Sequence, residues 1–268
     1  MNFEKEAALA LRAVSEGARI AGERPERLSI QTKQSFRDVV TEVDRLIEER
    51  MGAILGEGAY PVVGEEHFES GTESEPEGLY WAVDPIDGTA NYVAGIPYYG
   101  ISAGLVSNGT DARVGAVALP ALRELYFTHG DEVAFRNGRA LPPVDRRELS
   151  QSLVAGSFSG AKGDPAERAL LYRLFGEFNE RSRGALRLGS AAANFCYVAS
   201  GQLQLVYGFH AAIWDVAGGL AIASKAGCAV RCVRAPGRAR VHYIAGGATA
   251  VEEALEIIAG VGLGGAFA

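Results

Sequence analysis

The sequence predicts a mixed α/β fold of two abutting lobes, and three observations lead to this prediction. Up to residue 148, short apolar runs alternate with turn sequences such as NG and HGD, a pattern typical of an antiparallel sheet. From residue 149 onward, predicted strands alternate with predicted helices, which favours an α/β lobe. No long Ser/Pro-rich or like-charged linker separates the halves, so we expect lobes 1–148 and 149–268 to pack directly together.

Two helices are predicted at the start of the first lobe. Apolar residues recur every three to four positions from Phe3 to about Gly22, which is the spacing of an amphipathic helix. In the stretch DVVTEVDRLIEERMGAIL, Thr41 can cap a second helix, and Asp44 lies three residues further on, as in a capping box. The predicted buried stripe of this helix consists of Val43, Leu46, Ile47 and Ile54.

Strands dominate the remainder of the first lobe. The runs YPVVGEE and LYWAVD are short, apolar and bounded by Gly, Pro and acids, so they predict buried strands that end in carboxylates. The second lobe opens with the strand SLVAGSFS and a helix from Pro165 toward Asn179, and it closes with a helix near Val251 to Ile258. We expect the Gly-rich tail VGLGGAFA to fray.

Composition and charge limit the classes of function. The 268 residues are 48% hydrophobic and 22% charged, an ordinary globular composition. The formal net charge of −7 disfavours binding to a nucleic-acid polymer, and we interpret the basic cluster of Arg231, Arg234, Arg238 and Arg240 as a solvated loop. No run approaches the ~18 apolar residues of a membrane span.

The N-terminus and the cysteines indicate the compartment. Glu4 and Glu6 lie where a secretory signal would have its apolar segment. Cys196, Cys228 and Cys232 form an odd set without CxxC spacing, which indicates reduced, mostly buried thiols rather than a disulfide framework. We therefore expect a cytoplasmic protein.

Five carboxylates fall at the ends of predicted elements. Asp44 lies in a first helical turn, Glu65 follows VVG, Asp84 and Asp87 follow a strand, and Asp215 begins the WDVAGG helix. Each alone could be a helix-capping or solvated acid, and DPIDGT could be a tight turn. Two acids directly after a buried strand are costly without a role, which favours a function for DPIDGT. If the five converge, their repulsion raises some pKa values unless a cation compensates it.

The predicted cation is Mg²⁺, because every candidate ligand is an oxygen. The four histidines, at positions 67, 129, 210 and 242, lack HxH or HExxH spacing, so zinc is poorly supported. Carboxylates together with a backbone carbonyl suit magnesium, and the bend around Pro85 could aim the Ile86 carbonyl at the same ion as its acidic neighbours. The Gly88 and Thr89 amides could hold a phosphate at a helix start.

These motifs, taken in order, resemble one known family. Lys33, the segment DVVTEVD from Asp38 to Asp44, the segment GEE from Gly64 to Glu66, then WAVDPIDGTANYVAGIPYYGIS, RLGSAAAN and WDVAGG are similar to the inositol monophosphatase family of Mg²⁺-dependent phosphatases. The resemblance covers most of the chain, to at least Gly227, and DPIDGTAN and WDVAGG are highly specific in this order. It implies a layered αβαβα sandwich of the inositol monophosphatase / fructose-1,6-bisphosphatase type, usually homodimeric and often inhibited by lithium, that hydrolyses small phosphomonoesters.

The resemblance also implies roles for individual residues. Asp44, Thr89 and Glu65 would be catalytic, with Asp44 and Thr89 orienting and activating the attacking water, and the Gly88 and Thr89 amides would bind phosphate. Arg187, Ser190 and Ala191 match a segment that lines the substrate pocket. The implied ligands of two or three Mg²⁺ ions are Glu65, Asp84, the Ile86 carbonyl, Asp87 and Asp215, and the implied substrate-binding positions are Asp87, Arg187, Ser190, Ala191 and Gly208.

The substrate is the least determined part of this prediction. Family members that act on inositol phosphate usually carry a glutamate at the position of Gly208 and an aspartate at that of Gln204. Both acids are missing here, which weakens the case for inositol phosphate over another polyol or sugar phosphate. Alternatives of the same fold are a bisphosphate nucleotidase, a histidinol-phosphate phosphatase or a fructose-bisphosphatase-like enzyme.

Two other classes of function remain as alternatives. Haloacid-dehalogenase phosphatases use a DxDGT motif with a nucleophilic aspartate, which DPIDGT resembles except for one inserted residue, but their motif normally opens the first strand. A non-catalytic protein that binds a phosphorylated metabolite could keep the same fold. Intact acids at all five positions favour the enzyme.

Overall fold

The computed structural model describes residues 3–25, 27–32, 39–69, 75–129, 133–145, 147–158, 164–237 and 239–267. Lys33, Asp38 and Arg238, which entered the sequence predictions, lie outside the described residues. The helices are α1 (Glu4–Gly22), α2 (Glu42–Leu55), α3 (Glu65–Glu69), α4 (Thr89–Ala94), α5 (Pro165–Arg181), α6 (Ala191–Ala199), α7 (Ile213–Lys225) and α8 (Ala248–Gly260). The strands are β1 (Ile30–Thr32), β2 (Val39–Thr41), β3 (Val62–Gly64), β4 (Leu79–Asp87), β5 (Gly100–Ser107), β6 (Asp111–Leu119), β7 (Glu124–His129), β8 (Val133–Arg136), β9 (Arg139–Ala140), β10 (Leu153–Phe158), β11 (Gly184–Leu186), β12 (Leu205–Ala212), β13 (Ala229–Arg234) and β14 (Arg240–Gly246).

Two large sheets form the frame of the molecule. The first has seven strands in the order β3-β4-β5-β6-β7-β8-β9, in which β3 and β4 are parallel and each later pair is antiparallel. The second has five strands in the order β11-β10-β12-β14-β13, with parallel pairing around β10 and antiparallel pairing around β14. β1 and β2 form a separate antiparallel pair.

Helices cover both sheets and separate them. α1 and α2 pack on one face of the seven-stranded sheet, where Ala13, Ile47 and Trp81 belong to one buried cluster. α6 and α7 lie between the two sheets, and α5 and α8 cover the far face of the five-stranded sheet, where Leu174 and Ile258 are buried. This layering confirms the predicted αβαβα sandwich.

Glycines allow the central helix α7 to approach the seven-stranded sheet closely. A Cβ on Gly104 or Gly115 would lie within 3.0 Å of the α7 backbone at residues 217 and 218. A Cβ on Gly218 would in turn lie 2.7 Å from the Ser102 hydroxyl. Because side chains do not hold these surfaces apart, the start of α7 lies deep between the sheets.

Most predicted elements are present, with two differences in burial. Leu46, predicted in the buried stripe of α2, is 42% exposed, whereas Val43 and Ile47 are buried. The tail predicted to fray is packed instead: Leu263 and Phe267 are each only 7% exposed and join the core beside α8. The prediction from glycine content was wrong because two apolar side chains find a place against the five-stranded sheet.

The basic cluster proves to be a hairpin rather than a loop. Arg231 and Arg234 lie on β13 and Arg240 starts β14. Arg234 forms an ion pair with Glu75, whose carboxylate also accepts a hydrogen bond from the Tyr80 hydroxyl at 2.6 Å.

None of the helices in the described ranges is both long and apolar enough to cross a membrane. The three cysteines are free, and Cys196 is fully buried while Cys228 and Cys232 are partly buried.

Candidate active site

An irregularity in β4 positions the two acids of the DPIDGT motif. Asp84 pairs with Ser102 on β5 and Asp87 pairs with Gly100, so β4 uses one more residue than its partner between these points. Such a bulge bends a strand, and Pro85 is compatible with it because proline has no amide hydrogen to pair. Asp84 and Asp87 are consequently both buried, at 2% and 8% exposure.

Strand register places Glu65 beside Asp84. β3 runs parallel to β4, and Gly64 pairs with Val83. The residue that follows each member of this pair is a carboxylate: Glu65, directly after β3, and Asp84, on β4. Glu65 begins α3 and is only partly buried.

Asp215 reaches the same region from the central layer. It is the third residue of α7, which follows β12 without a loop. The close approach of α7 to the sheet at Gly104 and Gly115 brings this first helical turn toward the end of β4.

Burial and mutual repulsion raise the pKa values of both motif aspartates. Burial is the largest cause for Asp84, whose pKa lies well above its usual range, and the charges of Glu65, Asp87, Asp215 and Asp44 raise it further. The pKa of Asp87 is raised to about 8, first by burial and then by Asp215. The other four acids predicted from the sequence therefore all lie close enough to Asp84 to act on it electrostatically.

Asp44 and Thr89 are brought together across the site. Asp44 Oδ2 accepts hydrogen bonds from the Thr41 amide at 2.9 Å and the Thr41 hydroxyl at 2.5 Å, which completes the predicted capping box of α2. Thr89 Oγ1 lies 3.2 Å from Asp44 Oδ1 and 3.0 Å from the Ile86 carbonyl oxygen. The single Thr89 proton can serve only one of these acceptors at a time.

Asp87 joins β4 to the start of α6. Its Oδ2 atom accepts hydrogen bonds from the Ser190 hydroxyl and the Ala192 amide, both at 2.6 Å. The Ser190 oxygen in turn accepts from the Ala193 amide and so caps α6. Hydrogen bonds from Ser190, Ala192 and Ala191 each lower the pKa of Asp87, but the net shift is upward.

Asn91 fixes this arrangement and was not identified from the sequence. Its Nδ2 atom donates to the Tyr98 carbonyl at 2.7 Å and to the Leu188 carbonyl at 2.8 Å, which ties α4 to the RLGS loop. Gly88, with a φ of 100°, adopts the left-handed conformation that favours glycine and lies against the carbonyl of Gly189. The signal was available, since Asn91 is the last residue of DPIDGTAN.

Two of the predicted substrate-binding positions, Arg187 and Gly208, lie against aromatic side chains. The Arg187 guanidinium donates to the Phe158 carbonyl at 2.9 Å and lies over the Phe158 ring. Gly208, on β12, is covered: a Cβ there would lie within 3.0 Å of the Tyr243 ring from the neighbouring strand β14. A side chain at position 208 would therefore have to displace a buried tyrosine.

The donor set fits a hard cation, although the side chains do not already enclose one. Among the described residues, no three carboxylate, histidine or cysteine side chains are grouped closely enough to hold a metal ion as they stand. Electrostatic repulsion reaches further than coordination, so this finding is compatible with the raised pKa values. Asp84 Oδ1 is buried without a hydrogen-bond partner, and such an orphaned acceptor among repelling carboxylates suits Mg²⁺.

The chain is similar to known proteins of one family. The sequence model of the inositol monophosphatase family matches residues 4–259. A Thermotoga maritima protein named fructose-1,6-bisphosphatase/inositol-1-monophosphatase is 32% identical over 206 residues, which are 74% of this chain and 73% of that protein. The Nus factor SuhB of Pseudomonas aeruginosa is 29% identical over 225 residues, 82% of each chain. The solved structure of a Thermotoga maritima IMPase superposes with a TM-score of 0.80 at 24% identity, covering 96% of this chain and 98% of that one.

Proposed function

The chain belongs to the inositol monophosphatase family, and on that premise we propose that it is a Mg²⁺-dependent phosphatase of a small phosphomonoester, such as a polyol or sugar phosphate. The observation that carries the proposal is that Asp84 and Asp87 are buried with raised pKa values, and that the charges of Glu65 and Asp215 are among the causes that raise the pKa of Asp84. A protein without use for this cluster would gain stability by losing these charges.

The proposed cation ligands are Glu65, Asp84, the Ile86 carbonyl, Asp87 and Asp215. When bound there, Mg²⁺ supplies positive charge that stabilises the phosphoryl group and the leaving oxygen. The remaining catalytic work falls to side chains and amides of the chain itself.

Asp44 and Thr89 are proposed to manage the proton of the attacking water. When Thr89 donates its proton to Asp44 Oδ1, a lone pair of Thr89 Oγ1 is free to accept a hydrogen bond from water. Asp44 can then accept the proton that Thr89 passes on, which is general base catalysis through a hydroxyl. The Thr41 amide and hydroxyl keep the Asp44 carboxylate in place for this step.

The phosphate and leaving group are proposed to lie between α4 and α6. The Gly88 and Thr89 amides at the start of α4 offer hydrogen bonds to phosphate oxygens. Ser190 and Ala191, at the start of α6, lie next to Asp87 and are proposed to face the leaving group. Position 208 is a glycine beside the Tyr243 ring and offers no acid to bind ring hydroxyls. Inositol phosphate is therefore one candidate beside fructose 1,6-bisphosphate, histidinol phosphate and bisphosphate nucleotides.

The direct test is phosphate release from these four substrate types with Mg²⁺ and with EDTA. We expect at least one to be hydrolysed with Mg²⁺ and none with EDTA. Asp44→Asn is expected to lower kcat by about 100-fold or more because an amide nitrogen or a neutral oxygen replaces the proton acceptor. Asp111→Asn, at an exposed position at the start of β6, is the matched control and should keep the wild-type rate.

Two results would contradict the proposal. Equal rates in Mg²⁺ and EDTA would remove the cation from the reaction. A phosphorylated Asp84, trapped with substrate and identified by mass spectrometry, would favour a covalent aspartyl-phosphate mechanism over direct attack by water.

A further inference from the structure

Glu48 is a buried carboxylate that the proposed mechanism does not use. It lies on α2, four residues and about one turn after Asp44, and is only 3% exposed. A buried carboxylate costs folding free energy unless it is paired or hydrogen-bonded, so the partners of Glu48 indicate its structural role.

Those partners are the first turn of α3. Glu48 Oε2 accepts a hydrogen bond from the Glu66 amide at 2.8 Å, and Oε1 accepts one from the His67 amide at 3.0 Å. The His67 ring, through Nδ1, also contacts Oε1. Both carboxylate oxygens are thus used to hold backbone amides at the start of this short helix, immediately after Glu65.

Gly64, directly before Glu65 in the chain, leaves the space in which the Glu48 carboxylate lies. A Cβ on Gly64 would lie within 3.0 Å of the Glu48 carboxylate, so only glycine lets that carboxylate reach the chain here. Gly64 also pairs with Val83 on β4, which sets Glu65 beside Asp84. The backbone around Glu65 is therefore held by a strand register before it and by Glu48 after it.

We propose that Glu48 is a positioning residue that holds Glu65 in place beside Asp84 and thereby sets the affinity of the site for Mg²⁺. The proposal rests on the proposed function, since it assigns to Glu65 the role of a cation ligand. Glu48 has no contact with the cation in this scheme and acts through its contacts with the first turn of α3. Side chains that fix the ligands of a metal in this way typically contribute 10- to 100-fold to its affinity.

The test compares Glu48→Gln with Glu49→Gln. Glutamine at position 48 keeps the size of the side chain but can accept only one of the two amide hydrogen bonds, and its NH₂ group faces the other amide. Glu49 is the adjacent, exposed residue on α2 and serves as the control. The measurements are the Mg²⁺ dissociation constant by titration calorimetry, hydrogen exchange at the Glu66 and His67 amides, and kcat and KM at saturating Mg²⁺.

For Glu48→Gln we expect Mg²⁺ affinity to fall about tenfold or more and the two amides to exchange faster. At saturating Mg²⁺, kcat should recover to within about threefold of wild type with KM unchanged, because no group that contacts substrate has been altered. Glu49→Gln should match wild type in every measurement. Wild-type Mg²⁺ affinity in Glu48→Gln, or a loss of kcat that Mg²⁺ does not restore, would overturn the proposal.

A second variant covers the case in which Glu48→Gln does not fold. Gly64→Ala keeps the Glu48 charge but displaces its carboxylate, and we expect it to weaken Mg²⁺ binding in the same direction. Unchanged binding in a folded Gly64→Ala protein would refute the inference. Failure of the wild-type chain to bind Mg²⁺ at all would instead count against the proposed function, so the two failures are distinguishable.

Discussion

Replacing Asp87 by asparagine separates the free-energy cost of the buried acidic cluster in the folded chain from its proposed role in cation binding and catalysis. In the folded, metal-free chain the pKa of Asp87 is raised from 3.8 to about 8, first by burial and then by Asp215. The folded state binds a proton on the Asp87 carboxyl group more tightly than the unfolded chain does. The stability that this bound proton contributes is therefore lost as pH rises from about 4 through about 8. Asparagine does not titrate, so the variant lacks this pH-dependent loss.

The magnitude follows from the two pKa values. At pH 7 a shift from 3.8 to about 8 makes folding about 4 kcal/mol less favourable than it would be for a non-titrating side chain. The amide oxygen of the introduced asparagine can still accept from Ser190 and Ala192, but burying its NH₂ group costs about 2 kcal/mol. We therefore expect Asp87→Asn to stabilise the metal-free protein by about 2 kcal/mol at pH 7. At pH 5 the raised pKa of Asp87 makes folding of the wild type less favourable by less than about 2 kcal/mol, so the two proteins should be about equally stable.

The assay is thermal unfolding in EDTA at pH 5 and pH 7, followed by the same measurement with Mg²⁺. The variant should melt about 5 °C above wild type at pH 7 without metal. Mg²⁺ should raise the Tm of wild type more than that of the variant, and phosphatase activity of the variant should fall by about 1,000-fold or more. A metal-free Asp87→Asn protein that melts several degrees below wild type at pH 7 would show that Asp87 is an ordinary structural cap and would refute the reasoning.

The remaining predictions concern glycines at close approaches. Gly115→Ala places a Cβ within 3.0 Å of the Gly218 carbonyl, a backbone atom that cannot rotate away, so we expect a loss of about 3 kcal/mol and a lower Tm. Gly176→Ala, in α5 with nothing within 4 Å, is the control and should raise Tm slightly, and equal effects would contradict the packing argument. Gly208→Ala should cost about 1 to 3 kcal/mol because Tyr243 must shift, and Gly208→Ala/Tyr243→Ala should show non-additivity in denaturant unfolding; simple additivity of the two changes would disprove the contact.

The local features of this protein were predictable because they depend on neighbours in sequence. Thr41 and Asp44 form the capping box that their spacing predicts, and Ser190 caps α6. The apolar period of α1 and the short runs of β3 and β4 likewise produce the expected elements. The positions of the motifs along the chain, together with their specific residue types, were sufficient to identify the family.

Features that depend on contacts between distant segments were not predictable in the same way. Leu46 fits the stripe of α2, yet its side chain is 42% exposed. Phe267 is buried because an apolar site beside α8 accepts it, which the glycines around it did not indicate.

The sequence by itself determined which acids are candidate ligands of a cation and on which kinds of element they lie, because capping and strand patterns depend on a few adjacent residues. Only the tertiary structure decided how they are held. The parallel register sets Glu65 against Asp84, Glu48 fixes the chain after it, and Tyr243 fills the space beside Gly208. Each of these contacts joins segments that are separated in the chain, so it forms only when the strands and helices pack together.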